Sequence, residues 1–229
     1  MADFTTLRQI VKGRYGLDRS TTADALFTDT ILGDLINEAH RWLAREAWLY
    51  YEMDRTETLV NGTKRYALDT DVIRVDPTTI RQVVGGTYST LLPRNEAALR
   101  YDVGPLESAS TGTATGFWLN QGELTNDETV VISLHPTPSA AGTLYYSAWV
   151  YPADLSADGD RPKFSASEHD RLVTVTCWKM SEVELSRGRE NAPVAYWQPL
   201  AQRAAAELAA TRKKPTGLRV DGVPSRVAA

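Results

Sequence analysis

The sequence has few of the residues that most often carry enzyme chemistry. Its 229 residues include one cysteine and three histidines. No stretch approaches the roughly 18 apolar residues of a membrane-spanning helix. Cys177 is alone, which excludes an internal disulfide and any cysteine-rich zinc site. The first residues contain no apolar signal-peptide core, so we expect synthesis in the cytoplasm and no membrane partner.

Catalytic and ligand-binding motifs are missing as well. There is no glycine-rich phosphate loop, dinucleotide fingerprint or nucleophile elbow. The three histidines do not have the spacing of zinc ligands and are expected to be structural (His40, His135 and His169). Ser167, His169 and Asp170 are close in sequence but face different directions on a helix, so they do not predict a triad. The sequence therefore predicts no enzyme, no cofactor and no metal site.

The acidic segment 154–160 partly matches a calcium-binding loop. Asp154, Ser156, Asp158 and Asp160 place oxygens as in the first half of a calcium loop, with a glycine between the last two. The twelfth position is Ser165 rather than the glutamate that such loops require. We favour a solvated acidic turn that contacts a basic neighbour, with a calcium site as the alternative.

Charge is distributed unevenly along the chain. The net charge is −4, yet the residues after Thr211 carry five basic side chains and one acid, which leaves −8 for residues 1–211. Prolines and glycines in this tail disfavour a helix, so we expect it to be extended until it docks on a partner. Its loosely alternating apolar residues are suited to an added strand. The acidic body does not predict specific nucleic-acid binding.

Helical periodicity is found at both ends of the chain. It predicts helices over residues 4–14 and 28–48, the second capped by Thr28 or Asp29. A capping box formed by Ser165 and Glu168 predicts a third helix to about residue 186. A last helix is expected from about 192 to 211, where Pro199 requires either a start near Trp197 or a kink. Its alanine stripe favours close helix packing within or between subunits.

Strand signals occupy the middle of the chain. Asn61-Gly62 and Gln121-Gly122 each predict a tight hairpin. Two alternating runs, Val130–Leu134 and Thr143–Val150, are interpreted as a further hairpin. Short strands over 72–75, 79–84 and 88–92 bring the total to seven or eight, and Asn95–Tyr101 is predicted to be a short helix.

Together these elements predict an α+β fold. The N- and C-terminal helices form a helical bundle, and an antiparallel β-sandwich or barrel-like module is inserted between them. The predicted bundle domain comprises residues 1–55 and 163–211. The inserted β-rich domain comprises 56–162, and an extended C-terminal arm comprises 212–229.

Aromatic residues are numerous near the β-module. Six tryptophans and ten tyrosines occur in the chain. Most are expected in the core, but Trp118, Tyr146 and Trp149 are candidate interface anchors. A carbohydrate-binding module would also use exposed aromatics, so this feature leaves two hypotheses open.

Several segments carry a family resemblance. They are INEAHRWLAREA (36–47), TLVNGTKRYALDTDVIRV (58–75), ISLHPTPSAAGTLYYSAWVYPADLSADGDRP (132–162) and the helix from Glu168. In their order and spacing they resemble the head–tail adaptor (gateway) proteins of tailed bacteriophages, including the tail tubular protein A type. The resemblance spans most of residues 28–210. It implies a ring of twelve copies beneath the portal, with the β-module facing the next tail component.

The resemblance also implies sites. The portal-binding arm would comprise Arg212, Lys213, Lys214, Leu218, Arg219, Val220, Val223 and Arg226. A tail or subunit interface would involve Trp118, Tyr146, Trp149, Asp154, Asp158 and Asp160. The expected partners are the portal, a downstream tail or nozzle protein and further copies of the chain, with DNA passing through the lumen without sequence-specific contacts. The alternative function is a carbohydrate- or receptor-binding β-module on a helical base.

Overall fold

Helices at both ends of the chain and strands between them make up most of the structure. A computed structural model describes residues 2–17, 26–94, 111–121, 129–163, 165 and 168–211. These residues contain four helices and ten strands, which confirms the predicted α+β class. They form two compact units. The helical unit lies within residues 1–50 and 151–211, and the β unit lies within residues 51–150.

The first two helices begin at residues whose side chains accept hydrogen bonds from the first turn. The helix bounds are α1 Phe4–Tyr15, α2 Asp29–Ala47, α3 His169–Ser186 and α4 Val194–Thr211. Asp3 accepts a hydrogen bond from Thr6 N at 2.8 Å, and Thr28 Oγ1 accepts from Ile31 N at 3.3 Å. Gly16 ends α1 with a φ of 88°, a conformation that glycine adopts without strain.

The C-terminal helices follow the prediction with one correction. Ser165 N donates to Glu168 Oε2 at 2.9 Å, which is one of the two hydrogen bonds of the predicted capping box. Helix α3 begins at His169, and Glu168 rather than Ser165 takes the N-cap position, with no side-chain cap hydrogen bond. The start of the last helix near Trp197 is wrong, because α4 begins at Val194 and contains Pro199. Helix α4 is continuous from Val194 to Thr211, although Pro199 has no main-chain N–H to donate.

All four helices contribute to one hydrophobic core. Its fully buried members include Leu7, Leu32, Ile36, Leu43, Val175 and Met180. The alanine stripe of α4 is buried inside this unit, so it serves packing within the chain. A Cβ built on Gly33 would lie 3.1 Å from Phe4 Cζ, and α1 therefore approaches α2 closely at this glycine.

The β unit contains two four-stranded sheets and one two-stranded sheet. The strands are β1 Tyr51–Leu59, β2 Arg65–Ala67, β3 Val72–Val84, β4 Thr87–Thr90, β5 Leu92–Pro93, β6 Thr111–Gly112, β7 Gly116–Gln121, β8 Val130–His135, β9 Thr137–Pro138 and β10 Gly142–Val150. The first sheet has the order β1-β10-β3-β4, and the second has β2-β8-β7-β5. The pairing β6-β9 makes the third. Among the described residues the sheets are open, so a closed barrel is wrong.

Two predicted hairpins are also wrong. The Asn61-Gly62 turn joins β1 to β2, but these strands pair with β10 and β8, which belong to different sheets. Gly62 has a φ of 78° and donates its N–H to Pro138 O at 2.8 Å, so the turn is tied to a third segment. Turn chemistry predicts the reversal correctly, whereas the strand partners depend on which faces are buried.

The run from β8 to β10 is likewise not a hairpin. β8 pairs with β2 and β7, and β10 pairs with β1 and β3. The connection between them contains β9, which pairs with β6, and it moves the chain from one sheet to the other. Strand β3 also runs unbroken from Val72 to Val84, where the sequence predicts two short strands.

Two local predictions cannot be compared with the structure. The helix over Asn95–Tyr101 and the second strand of the Gln121-Gly122 hairpin lie outside the described residues. The first strand of that hairpin, β7, pairs with β8 in antiparallel register. A turn at Gly85-Gly86 joins β3 to β4, since Val84 pairs with Thr87 across it.

Candidate interaction surfaces

The predicted acidic loop is bound to the helices of its own unit. Asp154 and Asp158 accept hydrogen bonds from the guanidinium groups of Arg41 on α2 and Arg8 on α1. Both carboxylates remain exposed, with 56% and 81% of their side-chain surface accessible. Exposed ion pairs of this kind contribute little stability, so the two carboxylates can still exchange partners with another protein.

The Asp160 side chain holds the loop together through hydrogen bonds to its main chain. Its Oδ2 accepts from the main-chain N–H groups of Ser156 at 2.7 Å and Ala157 at 2.8 Å. These hydrogen bonds, with that from Ala157 the largest cause, lower the pKa of the Asp160 carboxyl. Within the described residues no group of histidine, cysteine or acidic side chains is arranged to hold a metal ion. The hydrogen bonds to Asp160 Oδ2 are those expected of an acidic turn.

A buried polar contact holds the same loop on α2. Asn37 Nδ2 donates to Leu155 O at 3.0 Å, and Asn37 Oδ1 accepts from Leu155 N at 2.9 Å. Leu155 itself is part of the helical core. Sequence reasoning missed Asn37, because an asparagine on the apolar stripe of a helix does not reveal which main-chain group it will meet.

The three aromatic residues predicted as interface anchors are buried. Trp118, Tyr146 and Trp149 have at most 6% of their surface exposed. Trp149 is covered by Tyr51, whose ring centroid lies 4.9 Å away. A side chain that is already buried has little area to lose on binding, which argues against these residues as anchors. Their interface role stays a prediction.

Other large apolar side chains of the β unit are exposed. They are Tyr51, Met53, Val60, Tyr88 and Leu92. Met53 is 75% exposed and lies where the register between β1 and β10 shifts. The next residue, Asp54, has a φ of 57°, which is uncommon for a residue with a side chain. Alternation along a sequence cannot distinguish an edge strand from a central one, so these residues were not predicted.

An open pocket of about 370 Å³ lies beside this irregularity. Arg81 is its central charged residue and pairs with Asp54. The guanidinium lies 5.5 Å from the ring centroid of Tyr88 and 5.6 Å from that of Tyr145, so both rings orient it. The residues that line the pocket are Tyr51, Met53, Asp54, Thr78, Thr79, Arg81, Thr90 and Ser147.

Acidic residues surround Arg55, which lies within β1. Arg55 donates to Asp69 at 2.6 Å and to Asp71 at 2.9 and 3.0 Å, and it also binds Glu52 at 2.8 Å. Burial lowers the pKa of Arg55, but the hydrogen bonds to Asp71 and Asp69 outweigh it and the pKa is raised. Three carboxylates thus share one cation, which leaves this part of the surface negatively charged.

Buried titratable groups of the helical unit are poorly suited to catalysis. Burial raises the pKa of the Cys177 thiol to about 12, so the reactive thiolate is scarce at neutral pH. Burial also lowers the pKa of His40 to about 4, and this ring is hydrogen-bonded to the Tyr50 hydroxyl. His169 is buried as well. These side chains are part of the packing rather than of a cleft.

Comparison with known proteins adds the deciding observation. A family model described as SU10 adaptor protein matches residues 3–221. The chain belongs to this family. The comparison with curated proteins found no match. SU10 adaptor proteins are structural components of phages, so this adaptor is a structural protein of a phage virion. The match confirms the resemblance to phage head–tail adaptors.

Within the described ranges no helix has the length and apolar character that crossing a membrane requires. The portal-binding arm predicted from the sequence, 212–229, lies outside the described residues. The arm therefore stays a prediction.

Proposed function

We propose that this SU10-family adaptor joins the portal to the tail of a bacteriophage as a ring of identical copies. Twelve copies surround a lumen through which DNA passes without sequence-specific contacts. The adaptor lies at the head–tail interface of the virion after synthesis in the host cytoplasm. The family match over residues 3–221 is the observation that carries this proposal, because it covers nearly the whole chain.

The chain's organisation supports the proposal. Both ends of the chain contribute to one helical core, in which Leu7 of α1 and Leu208 of α4 are both buried. We propose that the helical unit, within residues 1–50 and 151–211, acts as a bundle domain, and that the β unit, within residues 51–150, is an inserted sandwich-like domain. In this division the bundle supplies a rigid body for the ring and the insertion supplies the surface for the tail or nozzle protein.

The arm is proposed to bind the portal. It carries five basic residues and one acid, and its prolines and glycines disfavour independent folding. An arm that orders only on its partner can lock an assembly without a preformed interface. Deleting residues 212–229 should abolish portal binding while the rest of the chain keeps its helical circular dichroism. Unchanged portal binding by this truncation contradicts the role of the arm.

The test of the function is assembly on the portal protein encoded with it. Mass photometry of a mixture should show portal particles decorated by about twelve copies, in keeping with the closed cyclic symmetry common in oligomers. Exposed carboxylates of the acidic loop are proposed to contribute to tail or subunit contacts. Substituting Asp154 and Asp158 together by Asn then weakens those later contacts but leaves portal binding unchanged.

A carbohydrate- or receptor-binding role is the second candidate, and the pocket at Arg81 is the observation that favours it. An open pocket with tyrosine, arginine and aspartate side chains resembles sites that stack and hydrogen-bond sugars. Titration of a glycan panel against the wild type and Arg81→Ala decides the matter. Binding that is lost in the variant supports this role, and no binding to any glycan by the wild type rejects it.

A further inference from the structure

Among the described residues of the β unit, two segments on outer strands differ in chemistry. We define the acidic edge as Tyr51–Val60, which contains β1, and the apolar edge as Thr87–Arg94, which contains β4 and β5. Strands β1 and β4 are the two outer strands of the first sheet, and β5 is an outer strand of the second. An outer strand presents main-chain groups on one side that no strand of its own sheet uses, which makes it a template for another chain.

Exposed apolar side chains concentrate on these edges. Among the described residues, seven large hydrophobic side chains are exposed, and five of them belong to the two edges. Tyr88 and Leu92 of the apolar edge are 59% and 56% exposed. Soluble proteins seldom leave such residues together on the surface unless another protein covers them.

The acidic edge is negatively charged, whereas the apolar edge carries one positive charge. The acidic edge contains Glu52, Asp54 and Glu57 against Arg55, and Asp69 and Asp71 add two further carboxylates around that arginine. The only charged residue of the apolar edge is Arg94, which is exposed. The negative edge therefore matches the other edge better than it matches a second acidic edge, where like charges would face each other.

From these observations we infer that the acidic edge of one copy docks on the apolar edge of the next copy. The inference rests on the proposed ring, and it names the surfaces through which neighbouring subunits touch. A contact between two different edges is heterologous, and repeated contacts of this type close into a ring when the rotation between copies permits it. The contact also covers the edges that would otherwise invite aggregation.

Sheet register supplies a residue pair for the test. Thr56 pairs with Tyr145, Tyr145 with Arg81, and Arg81 with Thr90, so Thr56 and Thr90 lie on one row at opposite edges of the sheet. Both threonines are exposed. Three strand spacings separate them by roughly 14 Å within one chain, so a shorter bis-maleimide cannot join the two sites of the same copy. The native Cys177 is buried and adds no background reaction.

The experiment treats the full-length Thr56→Cys/Thr90→Cys variant, assembled on the portal, with such a bis-maleimide. We expect a ladder of covalent dimers, trimers and larger multimers on a denaturing gel. Each single variant alone should remain monomeric, and an equal mixture of the two should stop at dimers. A single variant that forms dimers by itself indicates an isologous contact and overturns the inference. The absence of a ladder on a fully decorated portal also overturns it.

Charge reversal gives an independent readout that does not need cysteines. Glu52→Lys and Arg94→Glu should each raise the protein concentration needed for half-decoration by about tenfold, which corresponds to one lost favourable contact. The double variant restores opposite charges and should recover most of the loss. Glu190→Lys, an exposed reversal in the helical unit, is the matched control. If the wild-type protein never decorates the portal, both the proposed ring and this contact are contradicted. If all variants decorate the portal normally, only the contact is overturned.

Discussion

The helical unit and the β unit differ in how they use their apolar and charged side chains. In the helical unit the aromatic residues pack against each other, as Trp42 does on Trp178 at 5.2 Å, and the acidic loop is bound to its own arginines. The β unit instead leaves two outer strands with exposed residues such as Met53 and Leu92. We therefore expect the helical unit to contribute mainly stability and the outer strands of the β unit to contribute contacts with other chains.

The largest expected effect on stability comes from alanine substitutions in the hydrophobic cores of the two units. Ile36 of α2 and Ile132 of β8 are both completely buried, so alanine at either position should lower the free energy of unfolding by about 2–5 kcal/mol. Urea titration followed by far-ultraviolet circular dichroism measures the loss. Leu185→Ala, at an exposed position, is the control and should change stability by less than about 0.5 kcal/mol. Equal losses for the exposed and the buried variants contradict the assigned cores.

Acid should weaken the helical unit through His40. Its folded pKa of about 4 lies below its ordinary value of 6.5, so the unfolded chain binds the proton more readily. The stabilising effect is complete above pH 6.5 and is lost as the pH falls toward 4, with a total of about 3 kcal/mol. Unfolding titrations between pH 7 and 4.5 measure this slope. The His40→Gln variant should have a shallower slope, and an identical slope in both proteins rejects the explanation.

A smaller loss is expected when the loop is detached from α2. Asn37→Ala leaves the buried main-chain N–H and C=O of Leu155 without their side-chain partner, which should cost about 1–3 kcal/mol. Thermal unfolding of the variant beside Asn191→Ala, an exposed asparagine, checks this expectation. A destabilisation of the same size in the exposed variant shows that the reciprocal hydrogen bonds are not the cause.

The smallest effect concerns the exposed ion pairs. Asp158→Ala removes the partner of Arg8, yet the free energy of unfolding should fall by less than about 1 kcal/mol, because the carboxylate is solvated. The difference should shrink further in high salt. Chemical denaturation at low and high ionic strength measures it. A loss of several kcal/mol that is independent of salt makes this pair a structural element and removes it from the candidate tail contacts.

Sequence patterns predict the helices better than the strand pairings. A period of 3.6 residues and capping residues such as Thr28 act within one turn, so local sequence contains the information. The partners of β2 and β10 depend instead on which faces are buried after the chain has collapsed, and Asn61-Gly62 therefore predicts a turn but not a hairpin. Exposure of Met53 and burial of Trp118 are also properties of the assembled sheets. The segments that resemble head–tail adaptors nevertheless lead to the family that the comparison shows.

Assembly on the portal tests the central claim most directly. Mass photometry of the purified adaptor, alone and mixed with the portal encoded with it, counts the copies on each portal particle. The account predicts a discrete increase equivalent to about twelve adaptor copies, as expected for a closed ring. An adaptor that remains free at every concentration, with portal particles of unchanged mass, contradicts the account.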